Sequence, residues 1–572
     1  MLQIILILAV FLVLIIPMGK YLYHITVGQH TFADPVFDRV DNAVYRVCGV
    51  DKKEMNWKQY ALAMIATNAI MVLIGYLILR IQSLPILNPN SIGGMEASLS
   101  FNTIISFITN TNLQHYSGES GLSYLSQMMV IIFMMFTSAA TGFSVAMAFV
   151  RGLAGKTKTM GNFYVDLIRI TTRVLLPLSL LIGLVLVSQG VPQTLSANVT
   201  VQTIEGNFQD IARGPIAALE SIKHLGTNGG GFLGANSAAP FENPSVITNI
   251  IEMLSMMLLP GSCVIAFGHM VHNRKKETKQ GKEKKILIGS EAKPIFAVML
   301  VILIVGVTIC FAAEQAGNPI LEKAGLSQSM GNMEGKEVRF GIAQSSLFTT
   351  VTTAFTTGTV NTMHDTLTPL GGSVALMNMM LNLVFGGKGV GLMNMILYVI
   401  LTVFICGLMV GRTPEYLSKK IEGKEMKLTA LGIIIHPFLI LTFTALAIAV
   451  PAGLAAISNP GYHGFTQVLY EFTSSAANNG SGFEGLGDNT YFWNITTGIV
   501  MFFGRYLSII ILLAIAGSLM IKQPVSESIG TLKTDTRTFG ISLFMVIVII
   551  AALTFFPAMV LGPIAEHLTL WS

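Results

Sequence analysis

The chain has 572 residues, 52% of them hydrophobic and only 11% charged. A soluble globular chain carries about 25% charged residues, so this one lacks the polar surface to stay dispersed in water. Its net charge of +5, with no stretch in which basic residues alternate with aromatics, excludes a nucleic-acid binder.

A helix that crosses a bilayer needs roughly 20 apolar residues. Runs of that length recur near 3–24, 58–83, 122–151, 161–188, 244–272, 293–313, 372–411, 428–457, 489–521 and 538–562. Inside lipid such segments must be helical, because open strands would leave their amides unpaired. The first run has no basic stretch before it and no small-x-small site after it, and reads as a retained helix rather than a signal peptide. The seventh is far longer than one crossing. Cys48, Cys263, Cys310 and Cys406 show no metal-ligand spacing and read as reduced. The expected fold class is an all-α polytopic membrane protein with ten transmembrane helices.

Lysine and arginine set the sides. The loop after the first run holds Arg39, Arg46, Lys52, Lys53 and Lys58, and the loop after the third holds Arg151, Lys156 and Lys158. The fifth is followed by Arg274, Lys275, Lys276, Lys279, Lys282, Lys284 and Lys285. After the seventh come Arg412, Lys419, Lys420, Lys424 and Lys427, and after the ninth Lys522, Lys533 and Arg537. Residues 84–121 and 458–490 contain neither lysine nor arginine. The expectation is that odd-numbered spans end in the cytoplasm and that both termini lie outside.

Four outside loops share one design, a semi-apolar stretch too short to cross followed by a polar Gly/Asn/Thr segment. They are "SLSFNTIISFITNTNLQHYSG", "GPIAALESIKHLGTNGGGFLGAN", "GIAQSSLFTTVTTAFTTGTVNTMHD" and "GFTQVLYEFTSSAANNGSGFEGLGDN". Their polar parts begin near Thr109, Thr227, Thr356 and Asn478, about 120 residues apart, which is an internal repeat. The predicted organisation is an N-terminal helix (3–24), pore unit 1 (58–151), unit 2 (161–272), unit 3 (293–411), unit 4 (428–521) and a C-terminal helix (538–562), with four pseudo-symmetric units around one pore. Extended backbone at membrane depth is tolerated only where it lines a cavity or is buried in protein. Four such loops around one axis would form a ring of carbonyl oxygens able to replace the hydration shell of a monovalent cation. The lack of charge in the loops favours potassium over calcium or magnesium, which prefer carboxylate ligands.

Within the seventh run, "FGGKGVGL" places Gly386, Gly387, Gly389 and Gly391 around Lys388. Four glycines in six residues break a helix, and a lysine at membrane depth is a functional candidate by default. Arg505 lies within another apolar run, "FFGRYLSIIILLAIAGSL". A P-type phosphorylation motif (Asp-Lys-Thr-Gly) and a phosphate-binding loop are both missing, so no bound nucleotide is expected.

The loops "TNTN", "TNGGGF", "TTGT" and "NNGSGF", with "ANSAAPFENP", "MHDTLTPLGG" and "GLMVGRTPEYLSKKIEGKE", resemble the KdpA family, the potassium-binding subunits of bacterial Kdp transporters. The resemblance runs essentially the full length. It implies a potassium-importing role in a bacterial plasma membrane. It also implies partners: a KdpB-like P-type ATPase subunit that hydrolyses ATP, and KdpC-like and KdpF-like subunits. Carried over residue by residue, it implies a selectivity filter of Thr109, Asn110, Thr111, Asn112 and Gln114; Thr227, Asn228, Gly229, Gly230 and Gly231; Thr356, Thr357, Gly358 and Thr359; and Asn478, Asn479, Gly480 and Ser481. The glycine break around Lys388 would be an intramembrane loop below the filter, and Arg505 would face the pore beneath it as a barrier. His115, His224 and His364 would be vestibule residues without a ligand role. A free-standing Trk- or Ktr-like potassium channel with a nucleotide-binding partner is the competing reading. An intramembrane enzyme finds no paired catalytic groups to support it.

Overall fold

The structure is a computed structural model, described for residues 1–31, 34–154, 159–278, 287–409, 411, 413–525 and 532–570, without the side chains of 274–278 and 388. Lys156, Lys158, Lys279, Lys282, Lys284, Lys285 and Arg412, and the side chains of Arg274, Lys275, Lys276 and Lys388, lie outside that description.

Ten helices among the described residues are long and apolar enough to cross a membrane: Leu2–Val27, Trp57–Ile81, Tyr124–Ala154, Phe163–Ser188, Val246–Asn273, Ala292–Lys323, Val390–Met409, Gly423–Ala449, Tyr491–Met520 and Arg537–Leu570. Polar caps start several of them. Asn56 and Gln59 form a reciprocal capping box at the second, and Asn162, Thr490 and Thr536 accept first-turn amides at the fourth, ninth and tenth. Such caps satisfy amides that the helix itself cannot.

Burial separates two classes of span. In the third, fifth, seventh and ninth, 67–72% of the apolar window is buried, against 22–39% in the other six. The four buried spans therefore surround the molecular axis, and the remainder face lipid. Between the second and third, fourth and fifth, sixth and seventh, and eighth and ninth spans lie, in turn, the short helices Ala97–Ile108, Ile216–Leu225, Gly341–Ala354 and Tyr462–Ala477. None is long enough to cross, since 16 residues reach about 24 Å at about 1.5 Å per residue.

The long seventh run divides into a helix Pro369–Leu381, a broken segment, and the span Val390–Met409. The eighth run also ends earlier than its apolar composition suggests, at Ala449, because Pro451 starts a separate turn. Two small antiparallel ribbons decorate the helical body. Val199–Gln202 pairs with Phe208–Ile211, and Glu415–Tyr416 with Lys419–Lys420.

Loops after odd-numbered spans gather on one face. The Met55 and Met160–Gly161 backbones pair, Lys419 Nζ donates to the Gly152 and Leu153 carbonyls, and Lys522 Nζ reaches Glu422 and Glu425. The other loops gather opposite, through Asn90–Asn198, Arg339–Ala238 and His463–Asp365 contacts. Gln3 and Glu566 bond to Gln344 and His463, so both ends of the chain sit on the face that carries the short helices.

Candidate functional site

All four short helices end in the same way. The residue two past the last helical one is left-handed: Asn110 at φ 60°, Thr227 at 52°, Thr356 at 49°, and Asn478, one past Ala477, at 56°. The next amide reaches back five residues in every case. Thr111 donates to Ser106 at 2.9 Å, Asn228 to Lys223 at 2.8 Å, Thr357 to Thr352 at 2.8 Å, and Asn479 to Ser474 at 2.9 Å. The left-handed residue itself donates three residues back, to Phe107, His224, Thr353 and Ser475. This pair of bonds is a Schellman cap. Glycine or asparagine normally occupies its left-handed position. A β-branched residue there, as at Thr227 and Thr356, is a true conformational outlier, and such strain persists only where surroundings over-determine it.

Past the caps the four chains meet. A Cβ added to Gly229 would lie 2.7 Å from the Thr111 carbonyl oxygen, 2.8 Å from that of Asn479 and 2.8 Å from Gly480 Cα. A Cβ on Gly358 (φ +94°) would overlap the Asn479 carbonyl oxygen, and one on Gly480 (φ +107°) that of Thr111. Backbone oxygens from the first and fourth loops therefore converge on glycines of the second, third and fourth, where no side chain fits.

Side chains tie the loops into a closed ring. Asn110 Nδ2 donates to Thr227 O at 2.8 Å, joining the first loop to the second. Gln114 joins them again, with Nε2 donating to Gly231 O at 3.0 Å and Oε1 accepting from Gly231 N at 2.9 Å. Thr359 Oγ1 reaches Asn236 Oδ1 at 2.9 Å and Ser237 Oγ at 3.1 Å, joining third to second. Asn479 Nδ2 donates to Thr352 O at 3.0 Å, and Asn478 Nδ2 to Thr111 Oγ1 at 3.0 Å, joining fourth to third and to first. Ser481 braces its own loop through Asn479 Oδ1 at 2.6 Å. Thr109 Oγ1 bonds Thr111 Oγ1 at 2.8 Å. Within this ring the Asn112 amide, Asn228 Oδ1 and Thr357 Oγ1 are buried and lack a hydrogen-bond partner among the described residues. Neutral oxygens and convergent carbonyls are the donor set of a dehydrated monovalent cation.

The broken segment of the seventh run passes directly beneath. A Cβ on Gly387 would sit 2.6 Å from Thr227 Oγ1 and 2.8 Å from Thr356 O. Gly386 N donates to Ala354 O at 3.1 Å. Phe385, left-handed at φ 59°, stacks on Phe355 at 5.0 Å, and Phe11 of the first span meets both edge-on at 5.7 Å. Asn382 Oδ1 accepts from Thr356 Oγ1 at 3.0 Å and its Nδ2 donates to Ala477 O at 3.2 Å. The break is thus fastened to the third and fourth loops. Gly387–Gly389 forms a 3-10 turn, continued by Gly391 in the next helix.

Arg505 lies one helical turn beyond Met501, whose carbonyl accepts from Asn478 Nδ2 at 3.1 Å. It is 4% exposed, its Nη2 has no hydrogen-bond partner, and no carboxylate lies within ion-pair distance among the described residues. A buried, uncompensated guanidinium is costly, so its positive field at this level is not neutralised locally.

Sequence reasoning missed what stands behind the loops. Glu242 lies 2.9 Å from where a Gly231 Cβ would be and pairs with Lys223 Nζ at 3.0 Å, which also meets Glu220 at 2.6 Å. His224 meets Glu252 at 3.2 Å. On the other side, His115 meets Glu471 at 3.3 Å and Asp488 at 3.8 Å, with Nδ1 2.7 Å from Asn494 Oδ1. Burial alone would lower the His115 pKa, but the Asp488 and Glu471 carboxylates outweigh it and hold it near 9. His364 Nδ1 lies 2.7 Å from the Tyr470 hydroxyl, and burial followed by the Lys336 charge pushes its pKa down to about 3. The three histidines are 3%, 1% and 0% exposed. They are packed behind the ring rather than lining a vestibule, because buried partners solvate them. The one signal in the sequence was that Glu220, Lys223, His224 and Glu471 sit on short helices flanked by apolar residues.

Comparison with known proteins agrees with this architecture. A family model described as "KdpA: Potassium-transporting ATPase A subunit" matches residues 5–568. The chain is 61% identical to the potassium-transporting ATPase potassium-binding subunit of Clostridium acetobutylicum over 570 residues, covering 100% of both. It is 55% identical to the subunit of the same name from Geobacillus kaustophilus, covering 98% of this chain and 97% of that one. Among solved structures, the potassium transporter TrkH from Vibrio parahaemolyticus superposes with a TM-score of 0.51 at 14% identity, over 88% of this chain and 98% of that one. That likeness concerns the fold, the multi-pass helical arrangement with pore loops. With its family matched along nearly the whole length, the chain is a multi-pass membrane protein of the KdpA family, the A subunits of potassium-transporting ATPases.

Proposed function

We propose that this chain takes up external K+ in the ring of four loops and hands it to a P-type ATPase subunit that drives high-affinity import by hydrolysing ATP. The observation that carries the reading is the fourfold repetition of one left-handed cap, with carbonyls of other loops closing on glycines. The filter is formed by Thr109–Asn112, Thr227–Gly231, Thr356–Thr359 and Asn478–Ser481, with Gln114 as a brace. The four units are 58–151, 161–272, 293–411 and 428–521. Carbonyls oriented by Schellman caps exchange for water around a cation of the right size, and neutral side chains behind them hold the spacing.

Below the ring, the Gly386–Gly391 segment with Lys388, together with Arg505, forms a barrier against straight passage. Ions then leave sideways toward the partner. The filter face is external, both termini lie on it, and the basic loops face the cytoplasm of a bacterial cell. KdpC-like and KdpF-like subunits complete the complex, and no nucleotide binds this chain. The relatives' printed names, which place potassium binding in this subunit of an ATPase, support that division of labour.

The test is co-purification with the P-type ATPase subunit encoded beside it, followed by ATP hydrolysis against K+ concentration. The reading expects hydrolysis stimulated by K+ and not by Na+. Passive K+ conduction by the chain alone, with no ATPase bound, would support a free-standing channel instead.

A further inference from the structure

The four loops share one cap, but they part company two residues beyond its left-handed position. That place is held by Asn112, Gly229, Gly358 and Gly480. The Gly229 carbonyl accepts a hydrogen bond from Asn236 Nδ2 at 3.0 Å. Among the described residues no hydrogen bond reaches the carbonyls of Asn112, Gly358 or Gly480. One of four equivalent oxygens is therefore engaged from behind, and three are free.

Asn236 is held rigidly in that role. It is buried and left-handed at φ 54°, a conformation asparagine tolerates better than most residues. Its Cα lies 3.1 Å from where a Gly231 Cβ would be, so it packs directly against the second loop. Its Oδ1 accepts from Lys223 Nζ at 2.7 Å, Thr359 Oγ1 at 2.9 Å and Ser237 N at 3.1 Å. An ammonium can only donate and a peptide carbonyl can only accept. The side-chain amide is thereby fixed, oxygen toward Lys223 and nitrogen toward Gly229. Lys223 is itself fully buried and clamped by Glu220 at 2.6 Å and Glu242 at 3.0 Å. A cation on Oδ1 also polarises the amide, which strengthens Nδ2 as a donor in a medium of low dielectric.

We propose that Asn236 is a positioning residue that sets specificity. It keeps the Gly229 carbonyl behind the ring, so an ion at that level meets the oxygens of Asn112, Gly358 and Gly480 and not a fourth. The number of carbonyls around an ion is one of the levers of selectivity. Three oxygens repel one another less than four and close in further. A fourth would hold the others back and suit a larger cation, Rb+ over K+. The assignment rests on the reading of the ring as a cation filter.

Two measurements on the assembled complex test it. Asn236→Leu keeps the size, adds no charge and removes the donor from the Gly229 oxygen. Lys223 retains Ser237, Glu220 and Glu242, and Thr359 retains Ser237 Oγ. With no donor behind it, the Gly229 carbonyl turns to the ion. The ratio of half-saturation for Rb+ to that for K+ is expected to fall about tenfold, the equivalent of about 1.4 kcal/mol, with Na+ still excluded. An unchanged ratio overturns the assignment. So does entry of Na+ with the Rb+ to K+ ratio unmoved, because Asn236 then only holds loops together. The second measurement needs no variant. Crystals of the wild-type complex in Rb+ should show the cation bounded by the Asn112, Gly358 and Gly480 oxygens, with the Gly229 oxygen still on Asn236. A Gly229 oxygen in contact with Rb+ overturns this assignment alone, whereas a ring without any cation overturns the filter reading on which it rests.

Discussion

Gly358→Ala puts the ring to a quantitative test. Gly358 has φ +94°, and a Cβ there would overlap the Asn479 carbonyl oxygen of the neighbouring fourth loop. Either the third loop leaves its left-handed conformation or the fourth loop's carbonyl moves off the axis. Holding an L-residue in such a conformation costs of order 1–3 kcal/mol, and strain that is tolerated less well in the ion-bound ring appears as weaker binding. That range corresponds to about 5–150-fold in affinity. The assay is the K+ concentration for half-maximal uptake, measured beside Rb+ and Na+ in cells that depend on this transporter. Gly423→Ala is the control, since nothing lies within 4 Å of its added Cβ. The half-saturation for K+ is expected to rise and the preference over Na+ to narrow in Gly358→Ala alone. A membrane-inserted Gly358→Ala protein with unaltered half-saturation and selectivity would refute the claim that these carbonyls hold the ion.

Gly230→Asp places a Cβ 2.8 Å from Gln114 Cδ and 2.9 Å from Asn112 O, adding bulk and charge where the first two loops meet. Growth at limiting K+ should fail before growth at high K+, and relaxed selection among alkali cations should accompany it. Arg505 stands one turn below the ring, where a unit charge about 6–8 Å away at an effective dielectric of about 20 is worth roughly 2–3 kcal/mol. Arg505→Ala and Lys388→Ala should each raise passive K+ flux in liposomes or uncouple uptake from ATP hydrolysis. If both variants stay tight and coupled, the barrier is the backbone of the glycine segment. For His115 the folded pKa is raised from 6.5 to about 9, so its ion pairs contribute fully below the ordinary value and are lost as pH rises through about 9. K+ half-saturation should stay level from neutral pH upward and climb above about pH 9, and His115→Gln should remove that step. A wild-type profile with no step at that pH would show that the pair does not brace the filter.

Much of the fold was legible because lipid imposes simple rules. Apolar run length located all ten spans, and the repeated half-helix with a Gly/Asn/Thr tail located four loops near Thr109, Thr227, Thr356 and Asn478. The glycines at 386–391 announced the break in the seventh run. That neutral side chains brace the loops behind the carbonyls was legible; which loop each one holds was not. Asn110, Gln114, Asn479 and Thr359 bond neighbouring loops, with partners up to 127 residues away. The bond from Asn478 to Thr111 spans 367 residues, beyond any local pattern. Thr227 and Thr356 carry no local sign of a left-handed backbone, because propensity argues against it and tertiary context imposes it. The buried carboxylates behind the loops were hidden for a similar reason. Glu242 and Glu471 read as isolated polar residues until folding brings Lys223 and His115 against them.

The most direct test locates the ion. Rb+ or Tl+ can replace K+ in crystals of the assembled complex, and anomalous scattering then marks where the cation rests. The account predicts a peak enclosed by the Thr111 and Asn479 carbonyls and Gly229, Gly358 and Gly480, lost when Na+ is substituted and weakened in Gly358→Ala. A peak elsewhere, with the four-loop ring empty at saturating cation, would contradict it.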